Sequence, residues 1–117
     1  MNKIKYDIGD TVKFQLGNKD FLGVVIKVVN CTWYIDYIVM HKDQSGKFNS
    51  YYRLSHNSLK YVEEELTKDE LLEIIEHFFK PNEFDFEVFK VMDYDYLFNL
   101  LQQKAPKIKL DKKIYFP

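Results

Sequence analysis

Only one cysteine, Cys31, is present, so no disulfide can form within the chain, and a reducing compartment is its natural setting. Glycine and proline are scarce, four and three residues in 117, which excludes collagen-like and low-complexity classes. No run approaches the ~18 apolar residues of a membrane-spanning helix. The first ten residues, MNKIKYDIGD, lack the apolar stretch of a signal peptide, so we expect a cytoplasmic protein with no membrane contact. Motifs are missing as well: there is no Gly-rich phosphate loop, no GxSxG, no HExxH and no paired Cys/His set. We therefore expect no enzyme activity, no cofactor and no metal.

Aromatic residues, by contrast, are abundant: nine Tyr, ten Phe and one Trp make up 17% of the chain. The net charge of −1 conceals a strong asymmetry. Residues 1–63 carry nine Lys and Arg against six acids; residues 64–103 carry three Lys against eleven acids; residues 104–117 carry five Lys against Asp111. An acidic middle block of this kind points to a charged partner, or else to helices that simply solvate themselves with Glu.

The first half alternates. Val12, Phe14 and Leu16 interleave with Thr11, Lys13 and Gln15, the period of a half-buried strand. Turn residues follow at 17–20. Leu22 to Val29 is rich in β-branched residues, and Gly23 within it suggests a bulge or sharp bend. After a turn at Asn30-Cys31-Thr32, Trp33, Ile35, Tyr37 and Val39 are expected on one face of a third strand. A fourth strand is expected over 50–54, a helical turn over 55–58 and a last strand over 59–62.

Five short strands with a turn before the last resemble the small Src-homology-type barrels of Tudor and KOW modules. The stretches that carry this resemblance are IGDTVKF, LGVVIKV, YIDYIV and YRLSHNSLKYV. It covers residues 6 to 63 and implies an SH3-like barrel, with Ser55 to Leu59 plugging one open end. Families of this fold bind peptides, methylated side chains, DNA or RNA, so the fold does not choose the function.

The second half reads as helical. Thr67-Lys68-Asp69-Glu70 is a capping box. The following helix places Leu71, Ile74, Ile75 and Phe78 on one stripe and Asp69, Glu73 and Glu76 on the other face. Residues 83–92 alternate like a strand, yet Phe86, Phe89 and Met92 fit a short helix, which we favour. Asp93 can cap a last helix with the stripe Tyr94, Leu97, Phe98 and Leu101. The basic tail ends as an edge strand or as a free arm. The expected class is α+β, with a five-stranded barrel at 1–63 and a helical block at 64–117 packed as one unit, and Val24, Ile26, Leu59 and Ile75 in the core.

Three chemistries can be weighed on named residues. Asp69, Glu73 and His77 lie one helical turn apart, but a zinc site needs supporting ligands elsewhere. Cys31 with His41 or His56 would need a chance approach in the fold. For nucleic acid, Lys3, Lys5, Lys13, Lys19, Lys27, Lys47, Arg53 and Lys60 offer charge, and Tyr34, Tyr51 and Tyr52 offer rings. However, the pI is about 6.3 and Arg53 is the only arginine. A protein partner fits better. The acidic block is interleaved with Phe78, Phe79, Phe84, Phe86, Phe89, Tyr94, Tyr96 and Phe98, more rings than one small core readily buries. The expected contact residues are Asp69, Glu73, Glu76, Glu83, Asp85, Glu87, Tyr94 and Tyr96. The expected role is an acidic inhibitor of a basic nucleic-acid-handling protein, in the character of immunity or phage anti-defence proteins. The alternatives are a nucleic-acid accessory role for the barrel, or a homo-oligomer through the aromatic face.

Overall fold

The computed structural model describes residues 6–43, 45, 47–78, 85–105 and 114–115. The chain is α+β. Five antiparallel strands, β1 (Thr11–Leu16), β2 (Lys19–Asn30), β3 (Ile35–Lys42), β4 (Phe48–Ser55) and β5 (Leu59–Tyr61), precede α1 (Lys68–Glu76), α2 (Phe86–Lys90) and α3 (Tyr94–Lys104). A two-residue strand, β6 (Ile114–Tyr115), pairs in parallel with β4, so the edge-strand reading of the tail holds at those two positions. The sheet order is β5-β1-β2-β3-β4-β6. Among the described residues β4 and β5 do not pair with each other, and the sheet is not closed.

Both faces of this sheet are apolar. The inner face gathers Tyr6, Val12, Phe14, Val25, Ile35, Tyr37, Val39, Leu54 and Leu59 into one core. Strands from both ends of the five-stranded array reach that core, so the sheet is strongly curled. The outer face presents Val24, Ile26, Ile38, Met40, Phe48 and Tyr51 to Leu71, Leu72, Ile74 and Ile75 of α1 and to Leu97 and Leu101 of α3. The helices thus lie on the outer face of the sheet. The expected core residues Val24, Ile26, Leu59 and Ile75 are all buried.

β2 supplies both cores, and a bulge shifts the alternation of its faces partway along. Val25 pairs with Val39 and Lys27 with Ile38, which leaves Ile26 as an extra residue. Val25 is buried in the inner core and Val28 packs against the same core. A regular strand would put residues at that spacing on opposite faces. The bulge therefore falls at Ile26 and not at Gly23, where a bulge or a sharp bend was expected. Gly23 instead marks a close approach, since a Cβ there would meet the Val39 side chain and lie 2.8 Å from the Met40 carbonyl oxygen.

The third strand begins two residues later than its alternation suggested. The Cys31 N–H donates to the Tyr34 carbonyl at 2.9 Å, which extends the turn past Thr32. Ile35, Tyr37 and Val39 keep their inner face, but Trp33 sits in the turn with 87% of its surface exposed. The expected helical turn is a 3-10 turn at His56–Ser58.

Candidate partner-binding surface

The capping box forms as its residues require. Glu70 N–H donates to Thr67 Oγ1 at 3.1 Å, and Thr67 N–H donates to Glu70 Oε1 at 3.0 Å. Glu70 also pairs with Lys42 at the end of β3. Burial pushes the Glu70 carboxyl up, but the Lys42 and Thr67 contacts together outweigh it and hold the group below its ordinary value.

The eight expected contact residues divide by position. On α1, Asp69 and Glu76 are exposed, whereas Glu73 Oε1 accepts from the Phe48 N–H at 3.0 Å and so ties the helix to β4. Asp85 caps α2 by accepting from the Glu87 N–H at 3.1 Å. Phe86 is 47% exposed between these two acids, so α2 presents a ring flanked by carboxylates. On α3, Tyr96 is 56% exposed and Tyr94 is half-buried. Glu83, Phe79 and Phe84 lie outside the described residues. Asp93 occupies the N-cap position of α3, but its side chain makes no capping hydrogen bond.

The surplus of rings is partly absorbed by the fold: Phe78, Phe89, Tyr94 and Phe98 pack partly buried against the outer core. Tyr94 and Phe98 stack with their centroids 6.2 Å apart. Phe98 also rests directly on Gly9, whose backbone has φ +100°; a side chain at that position would strain the backbone and strike the ring. One turn further along α3, Gln102 Nε2 donates to the Ile8 carbonyl at 3.2 Å. These contacts fix α3 against the turn that leads into β1.

Between that turn, β5 and α3 lies an open groove of about 280 Å³, lined by Gly9, Asp10, Thr11, Tyr61, Glu64, Glu65, Leu66, Tyr94, Asp95 and Phe98. Four of these side chains are carboxylates, and none is a lysine or an arginine. Tyr61, at the end of β5, is 59% exposed. The Tyr94 phenol is pushed up, first by burial and then by the charges of Glu65, Glu70 and Asp95, so its hydroxyl lies in a negative field. Sequence reasoning singled out Tyr94 but missed Tyr61, Asp10, Glu64 and Glu65. The run of three acids at 63–65 was the available signal; that it meets the turn at Gly9 is a tertiary fact.

The basic and nucleophilic candidates are dispersed. Lys13 pairs with Asp20 at 3.1 Å and Arg53 with Asp36 at 2.8 Å. Tyr51 is buried in the outer core, and Tyr52 packs against Phe14 and His41, so neither offers a free face for a base. Tyr34 remains 45% exposed beside Trp33. Lys3 and Lys5 lie outside the described residues. Cys31 is in the β2–β3 turn, while His41 sits at the other end of β3 among Phe14, Phe21 and Tyr52. No group of three metal-ligating side chains occurs among the described residues. No described helix is long and apolar enough to cross a membrane. Comparisons of the chain with protein-family models, with curated proteins and with solved structures found no match.

Proposed function

We propose that this is a non-enzymatic binding protein of the cytoplasm whose helical side engages a basic protein, in the manner of an acidic inhibitor of a nucleic-acid-handling partner. The reading is carried by one observation: exposed rings and exposed acids occur together on the helical side, Phe86 with Glu87 on α2 and Tyr96 with Asp95 on α3. A negative surface of this kind speeds encounter with a basic target. Exposed rings then supply desolvated anchors. Asp69 and Glu76 extend the charge along α1, and Glu83 belongs to the same acidic stretch in sequence. In this reading the five strands with a 3-10 turn before the last form an opened variant of the small Src-homology-type barrel and serve as the platform for the helices.

The second reading, an accessory protein that holds nucleic acid on the sheet, draws support from a cleft of about 320 Å³ that brings Lys13 and Lys60 together with Gln15, Asn57 and Ser58. The Lys13–Asp20 pair weakens it.

The two readings separate in one set of measurements. With a partner captured from the host and purified, Glu76→Lys, Asp85→Asn and Glu87→Lys together should slow association at least ~10-fold at low salt, at nearly unchanged melting temperature because Asn keeps the α2 cap. Lys13→Glu and Lys60→Glu should change little. A gel shift with mixed-sequence DNA or RNA below micromolar protein, abolished by the Lys13 and Lys60 changes and steeply salt-dependent, would transfer the assignment to the second reading.

A further inference from the structure

The groove between β5 and α3 is chemically more specific than a general acidic surface. Its floor is aromatic, formed by the stacked Tyr94 and Phe98 where Phe98 covers Gly9. Tyr61 stands exposed at the wall, and Leu66 adds an aliphatic edge. Asp10 is partly engaged, accepting from the Asp7 N–H at 2.9 Å. Glu64, Glu65 and Asp95 make no side-chain hydrogen bond or ion pair among the described residues.

Those two features together select an occupant. A purely apolar ligand would cover carboxylates and leave them desolvated without partners, which is costly. An anion would be repelled by them. A cationic head on an aliphatic stem satisfies both parts of the groove: the stem lies along the rings and Leu66, as long basic side chains do on apolar surface. The head meets a ring face and a carboxylate at once, combining a cation–π contact with a charge-assisted hydrogen bond. The volume of about 280 Å³ accommodates one such side chain.

We propose that this groove receives a single lysine or arginine side chain presented by a peptide segment of a basic protein partner. The inference rests on the proposed contact with a basic protein and assigns it a specific anchor point. Tyr61, Tyr94 and Phe98 bind the stem and face the charge, and Glu65 and Asp95 neutralise it.

The test uses the full chain and three short Gly/Ser peptides that differ only at a central residue: arginine, lysine or norleucine. Ring signals of Tyr61, Tyr94 and Phe98 are followed by NMR during titration. The arginine and lysine peptides should shift them saturably, and the norleucine peptide should not; the ratio of the two affinities tells guanidinium from ammonium preference. Glu65→Gln with Asp95→Asn should weaken binding at least 5-fold while the melting temperature and the norleucine baseline stay fixed. Silent groove rings, an equal response to norleucine, or undiminished binding by the neutralised variant would each overturn the assignment. If the rings stay silent while a captured partner still depends on Asp85 and Glu87, the groove is overturned and the basic-partner reading stands.

Discussion

The inner face of the sheet packs against itself, whereas the outer face packs against α1 and α3. Every buried residue of the inner core comes from Tyr6 to Leu59, and its polar atoms include the Tyr6 hydroxyl, which donates to the Leu59 carbonyl at 3.0 Å. The outer core draws on both halves of the chain and is mostly aliphatic. A curled sheet that fills its own interior can in principle stand alone. This one is expected not to do so in water, because Val24, Ile26, Ile38, Met40, Phe48 and Tyr51 would form a bare apolar face. The sheet half and the helical half are therefore expected to be one folding unit.

The largest effect should come from breaking that unit. Each large side chain of the outer face gains roughly 1.5–3 kcal/mol from burial. Six of them contribute roughly 9–18 kcal/mol before the entropy cost of ordering them, comparable to the net 5–15 kcal/mol of a typical domain. A chain ending at residue 63 should show no cooperative urea transition, and its strand circular dichroism should be weak or accompanied by aggregation. A cooperative, native-like transition in that fragment would show that the inner core suffices.

Gly23 sharpens the comparison, because the inner core closes over its Cβ position. A methyl group there would press on the side chains of Val39 and Phe14, both in the inner core, and on the backbone carbonyl of Met40. A backbone oxygen cannot swing aside as a side-chain tip can. Gly23→Ala should therefore cost at least ~2 kcal/mol in urea unfolding. Gly17→Ala is the control: it faces open space and bears only the strain of φ +65°, about 1 kcal/mol. Equal costs at the two sites would mean that β2 relaxes and that the inner face is packed less tightly there than its geometry suggests.

What could be read in advance follows the same division. Local signals were legible: the alternation of β1, the Thr67–Glu70 box and the helical spacing of Phe86 and Phe89 all correspond to formed elements. The faces of β2 were not, because a bulge at Ile26 leaves no mark in a run of valines and isoleucines that suits either face. Trp33 was placed on a strand because alternation continues through it; a single backbone bond from Cys31 to Tyr34 moved the boundary. Glu73 looked like a solvent-facing acid, and its bond to the Phe48 amide depends on where β4 passes α1. The groove is the extreme case, since Gly9, the Tyr61–Glu65 stretch and Phe98 belong to three segments far apart in the chain and meet only in the folded protein.

The smallest expected effect distinguishes the inner side of the sheet by its response to pH. His41 packs among Phe14, Phe21 and Tyr52, and its Nε2 is buried without a hydrogen-bond partner among the described residues. Burial holds the imidazole below its ordinary 6.5, with Asp43 pulling weakly the other way. The unfolded chain therefore takes up this proton first as pH falls. By linkage, the stability tied to the neutral ring is fully present above about pH 6.5 and is lost as pH drops below it, until the folded imidazole also titrates. Asp20, Asp43 and Glu70, whose carboxyls are held low, act in the same direction only at more acidic pH. Melting temperatures taken between about pH 7.5 and 5.5 thus isolate the histidine term. The wild-type chain should lose more stability over that range than His41→Phe, which keeps a ring in the aromatic cluster and removes the titrating nitrogen. Parallel slopes for the two proteins would mean that solvent reaches His41 in the folded state and that the inner face of the sheet is no more pH-sensitive there than the outer.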